Sequence, residues 1–267
     1  MNWNIIRFEL RLSRRGALYC GLSLLAFQCL IVAFYAAARP DKTLTGLFKL
    51  VPKGLKALIG GDYLDPITVS GFLSFGFTHP VNLLLLITPL VALASRTASG
   101  GTDDGRTDLL LSRPLSRTAF LSSRMAAGAI LSVLLVLFMW LGHLLGVLFI
   151  ALPETPATVP FVYVALNALL FALAVEGIAF LAAALSTLRG TAVGFAIGLL
   201  AAMLFVRMAA QFWDLFERPA ALSVFTYYVP GKIVFLKSFP LGHMATLFAF
   251  FLITSGLALG VFCKKDI

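Results

Sequence analysis

The chain has 267 residues, of which 60% are hydrophobic and only 12% charged. An ordinary globular domain carries roughly 25% charged residues, so this composition excludes a soluble domain and points to an all-α polytopic membrane protein. The formal net charge of +9 does not mark a nucleic-acid partner, because the basic residues cluster at the ends of apolar runs, where they set orientation in a membrane. Nor do they interleave with aromatics as in single-strand binders.

Residues 1–15 read as a basic amphipathic helix. Trp3, Ile6 and Leu10 recur on one face, and Arg7, Arg11 and Arg14 on another. Two roles fit it: a helix lying on anionic membrane lipid, or a basic flank that orients the first span. The first span is expected over 16–38. Its apolar run exceeds the roughly 7–15 residues of a signal-peptide core, which favours an uncleaved helix. Cys20 and Cys29 stand roughly 13 Å apart along that helix, at about 1.5 Å per residue, too far to bridge. With Cys263 they make neither a disulfide framework nor a zinc site.

Residues 39–79 carry Leu44, Leu47, Phe48, Val51, Leu55, Leu58 and Ile59 at helical spacing, interrupted by Pro52. Short interfacial helices are expected there. Further spans are expected at 80–98, 125–150, 160–185, 190–209 and 241–262, which makes six. Residues 210–240 are broken by Pro219, Pro230 and Pro240 and rich in aromatics, and read as short re-entrant or surface helices outside the cytoplasm. Placing the N-terminus inside puts Arg7, Arg11, Arg14, Arg15, Arg96, Arg106, Arg113, Arg117, Arg124, Arg189, Lys264 and Lys265 on short cytoplasmic segments, twelve of the twenty-one basic residues. The remaining nine lie on longer stretches, where the bias weighs less. Both termini are therefore expected in the cytoplasm of a bacterial-type inner membrane, with all 267 residues forming one transmembrane domain.

That orientation places the polar segment 99–124 in the cytoplasm. Gly100 and Gly101 break the preceding helix, and Thr102 or Asp103 can cap a new one. Pro114 disfavours helix at Arg113, and Ser116 is placed to cap the third span. A short amphipathic helix between breaks suits docking against another protein.

The run Gly105-Arg-Thr-Asp-Leu-Leu-Leu-Ser-Arg-Pro-Leu-Ser-Arg117 resembles the motif between the second and third spans of ABC-2 type permeases, the membrane subunits of ATP-binding-cassette exporters. In that family an acidic pair and then Gly-Thr-Leu-Asp/Glu-Leu-Leu-Leu-Ser-x-Pro-x-Ser-Arg form a coupling helix seated in a cleft of the ATPase subunit. The resemblance implies docking roles for Asp103, Asp104, Gly105, Arg106, Asp108, Leu109, Leu110, Leu111, Ser112, Arg113, Pro114, Ser116 and Arg117. Arg106 and Thr107 depart from the family pattern. The closing Phe262-Cys-Lys-Lys-Asp-Ile267 is similar to the family's Phe-x-Arg-Arg-Asp-Ile.

The resemblance further implies a type V exporter half: a pore formed with a second permease copy or a paralogue, driven by a separate subunit that binds ATP and magnesium. The chain contains no Gly-x4-Gly-Lys-Ser/Thr, so it has no P-loop of its own. No catalytic triad, paired carboxylates or metal spacing stands out, so it reads as a non-enzyme that needs no cofactor. Alternatives are a secondary transporter or channel working without an ATPase, and a membrane anchor or sensor subunit.

Two polar residues fall inside spans. Glu176 costs roughly 2.5–3.5 kcal/mol to place at a helix centre, so it either faces a translocation path or makes a structural hydrogen bond. His143 reads as a packed, hydrogen-bonded histidine. Gly190, Gly194 and Gly198 repeat at every fourth position, which favours close packing inside the chain over a dimer contact.

Overall fold

The computed structural model describes residues 1–38, 68–98 and 116–264. All regular structure among them is helical, and six helices are long and apolar enough to cross a membrane, the architecture of a multi-pass membrane protein. Residues 99–115 lie outside the described set. So do Asp103, Asp104, Gly105, Arg106, Asp108, Leu109, Leu110, Leu111, Ser112, Arg113 and Pro114, and the expected interfacial helices up to residue 67.

Helix α1 runs unbroken over Trp3–Ala38. The basic segment and the first apolar run therefore share one axis, with no turn onto the membrane plane between them. Nothing at Arg15-Gly16 forces a break, because glycine inside a helix costs only about 1 kcal/mol relative to alanine. Arg7, Arg11, Arg14 and Arg15 are exposed, while Ile5, Ile6, Glu9, Ser13 and Ala17 are buried. The buried face is thus rotated from the expected stripe, and Trp3 is 64% exposed.

The second span begins earlier than residue 80 and is broken. Helix α2 (Val69–Thr78) is capped by the Thr68 hydroxyl, and helix α3 (Pro80–Ser95) by the ring of His79. Pro80 has no N–H to donate and frees the Gly76 carbonyl. Asn82 Nδ2 donates to it at 2.6 Å. The Phe77 carbonyl also loses its helical donor, since Val81 N–H turns to His79 Nδ1, and Tyr228 Oη donates to it at 3.0 Å. A break at membrane depth persists only where its carbonyls are met in this way.

Helix α4 (Arg117–Phe149) starts at Ser116, whose hydroxyl accepts from Ala119 N–H at 3.2 Å. It reaches eight residues before the expected start at 125, and its first turns carry Arg117 and Arg124. Helices α5 (Thr158–Leu185) and α6 (Arg189–Ala209) follow, then 3-10 turns at Asp214–Phe216 and Val224–Thr226 around α7 (Glu217–Ala220), the short α8 (Pro230–Leu236) and the final α9 (Leu241–Lys264). Residues 214–236 bend by 99° at a break between Ala220 and Val224, just after Pro219. Asn167 of α5 anchors this region: its Nδ2 donates to Tyr227 O at 3.1 Å and its Oδ1 accepts from Val229 N–H at 3.0 Å.

Helix α5 is the centre of the bundle. It packs against α3, α4, α6, α8 and α9, and 72% of its apolar window is buried, against 22% for α6 and for α9. Helices α1 and α4 form another close pair. A Cβ at Gly142 would meet the Leu25 backbone, and one at Gly146 would lie 2.7 Å from Val32 Cγ2. These are the small residues that bring backbones together here. Gly190, Gly194 and Gly198 do not: among the described residues nothing lies within 4 Å of where their side chains would go, which corrects the expectation that they pack inside the chain.

Candidate functional site

The most connected polar cluster lies at the N-terminal end of α1, where α3 ends and α4 begins. Glu9, fully buried, comes from the stripe Ile5–Glu9–Ser13–Ala17 that α1 turns inward. Arg124 Nε and Nη2 donate to Glu9 Oε1 at 2.9 and 2.6 Å. Arg96 Nη1 reaches Glu9 Oε2 at 3.4 Å, and its Nη2 donates to Ser13 Oγ at 2.9 Å. One carboxylate thus holds two guanidinium groups from two other helices.

Arg124 does more than pair. Its Nη1 donates to the Arg96 carbonyl at 2.8 Å and to Thr97 Oγ1 at 3.4 Å, and its guanidinium carbon lies 5.0 Å from the centre of the Phe120 ring, a favourable cation–π distance. Phe120 stacks on Phe262 of α9 at 6.1 Å. Nearby, Ser123 Oγ accepts from Asn2 N–H at 2.7 Å, and Arg117 Nη1 donates to the Cys263 carbonyl at 3.4 Å. That second contact suits a cation at a helix C-terminus. Burial lowers the pKa of Arg96 below the ordinary arginine value; the Glu9 charge opposes the shift, while Arg124 and Arg189 add to it.

Ser116 and Arg117, the two motif residues within the described set, thus sit at this face as the cap and first residue of α4. Glu9 was not among the residues singled out from the sequence. The sequence showed only a lone carboxylate in a basic helix, because the face that turns inward is rotated from the expected apolar stripe.

Glu176 lies in the second half of α5, 1% exposed, and its carboxyl faces α4 at Gly128, about one helical turn on from Arg124. Ser132 Oγ donates to its Oε2 at 3.3 Å, and Oε1 has no hydrogen-bond partner among the described residues. The carboxyl occupies the space that a side chain at Gly128 would fill. His143 is separate again. Its ring stacks on Phe161 at 4.0 Å and meets Phe77 edge-on at 5.6 Å, next to the break between α2 and α3. It is packed as expected, but its Nδ1 finds no hydrogen bond.

Among the described residues, no three His, Cys, Asp or Glu side chains converge in a way that would hold a metal. The buried polar groups thus comprise an ion cluster at one face, Glu176 about one turn further along α4 from it, and His143 by the broken span. No family model matches the chain, and no curated protein matches it in sequence.

Proposed function

We propose that the chain is the permease subunit of an ATP-binding-cassette exporter of the ABC-2 type, moved by a separate ATP-binding subunit. The observation that carries this reading is the Gly105–Arg117 motif on the connection between the second and third spans. Six helices long and apolar enough to cross a membrane support it, and with no P-loop in the chain any ATP that drives it is bound by a partner. In this reading the face holding Glu9, Arg96 and Arg124 is cytoplasmic, and two permeases form the path. Nucleotide binding in the partner favours one arrangement of the spans, as it must to do work on them.

Co-expression with candidate ATPases tests it. A Walker-motif protein is expected to co-purify with the chain in detergent and to hydrolyse ATP faster when bound. Leu110→Asp, which puts a charge on the apolar face of the docking motif, is expected to lower recovery of the partner at least about tenfold while the permease still inserts. Equal recovery with wild type and variant, with transport unchanged, would discard the docking assignment.

The second reading, a transporter that works without an ATPase, draws on the broken second span and the buried Glu176, both features of secondary transporters. Transport by the purified chain alone in ATP-free vesicles would favour it.

A further inference from the structure

We infer that Glu9 is a positioning residue that locks both ends of the α3–α4 connection onto α1, so that the two ends move together with that helix. The contacts are long in sequence and direct in space. Glu9 lies 115 positions from Arg124 and 87 from Arg96. Each of its oxygens serves a different helix, Oε1 the start of α4 and Oε2 the end of α3. Arg124 then closes the triangle by bonding the Arg96 carbonyl and the Thr97 hydroxyl, next to the point where the connection leaves α3.

The charge balance shows why the acid governs this arrangement. Arg96 and Arg124 share one carboxylate, and Arg189 is near enough to repel Arg96. With Glu9 ionised the opposing charge holds these groups at one point. With Glu9 neutral, the same guanidinium groups repel one another in a buried setting where screening is weak. Removing this one charge therefore frees two chain ends at once, whereas removing either arginine frees only the contacts that arginine makes.

The lock itself stands on these contacts; its use in passing a partner's motion to the spans rests on the permease reading above. Hydrogen exchange on the purified chain in lipid nanodiscs tests the first part. In Glu9→Gln, amides in 93–98 and in 117–124 are expected to exchange about tenfold faster or more, with the centres of α5 and α9 unchanged. Wild-type protection at either flank would overturn the lock. Arg96→Gln, which keeps the Glu9–Arg124 pair, guards against a Glu9→Gln variant that does not fold: it should loosen 93–98 alone, and loosening of both flanks equally, or of neither, would overturn the lock.

The second part is read with the ATP-binding subunit present. Glu9→Gln should recover that subunit in wild-type amount and yet lose about tenfold of the permease-stimulated ATP hydrolysis. Undiminished stimulation overturns the transmission role. Failure of the wild-type chain to recover any ATPase counts instead against the permease reading, and leaves the exchange result to decide the lock.

Discussion

Gly142 and Gly194 look alike in the sequence, a glycine inside an apolar helix, and differ in what lies opposite. A methyl group at Gly142 meets the Leu25 backbone, which cannot rotate away. Gly142→Ala is therefore expected to cost about 1–3 kcal/mol by overpacking, measured by denaturant titration in detergent. Gly194→Ala meets nothing and is expected to leave the isolated chain unchanged or slightly more stable, because alanine is the better helix former. Gly128→Ala falls between them, since the group it meets is the movable end of Glu176. Glu176→Gln keeps the shape of the side chain and an acceptor for Ser132, so its stability is expected within about 1 kcal/mol of wild type. A loss above about 2 kcal/mol would show that the negative charge itself is held. The four substitutions separate steric from polar roles in one titration series.

The broken second span shows how one element depends on others distant in sequence. Pro80 ends α2, but the resulting bare carbonyls persist because Asn82 and Tyr228 satisfy them. Tyr228→Phe removes one donor and leaves the Phe77 carbonyl buried, for an expected loss of about 1–3 kcal/mol. Asn167→Ala unpairs two backbone groups of the 214–236 region together, Tyr227 O and Val229 N–H. It is expected to cost more than Tyr228→Phe and to raise proteolysis within that region first, which limited digestion followed by mass spectrometry would show. Equal cleavage of wild type and variant would mean that Asn167 is not the anchor. Pro219, Pro230 and Pro240 were legible as breakers of 210–240, while the break at Pro80 was not expected; nor were the residues that make the breaks tolerable, because nothing local pairs Tyr228 with Phe77.

For the whole molecule, helix existence was the most legible property and helix association the least. Spans near 160–185, 190–209 and 241–262 follow from apolar length, and the structure places helices over all three. The first span absorbed the basic segment before it, and the second gained an extra helix in front of its proline. The expected orientation is testable in a background with Cys20, Cys29 and Cys263 replaced by alanine. Arg11→Cys and Leu215→Cys, both at exposed positions, should react with a membrane-impermeant maleimide from opposite sides. Arg11→Cys is expected to label only in inside-out vesicles. Labelling of both from one side would contradict six crossings, and labelling of Arg11→Cys from outside would invert the orientation.

Composition and apolar length by themselves determined that this chain makes helices long and apolar enough to cross a membrane, because backbone groups in hydrocarbon must be satisfied within a helix or a closed barrel, and continuous apolar runs of about 20 residues fit the helix. The segment proposed to dock a partner, too, was read from sequence alone. What only the tertiary structure decided was which faces meet. It chose Gly142 and Gly146 over the Gly190 series as close-contact residues, and set Tyr228 beneath the broken span. It also joined Glu9 to Arg96 and Arg124. The physical reason is the same in each case. Helical periodicity states which residues share a face, while the partner of that face is fixed by packing between segments far apart in the chain.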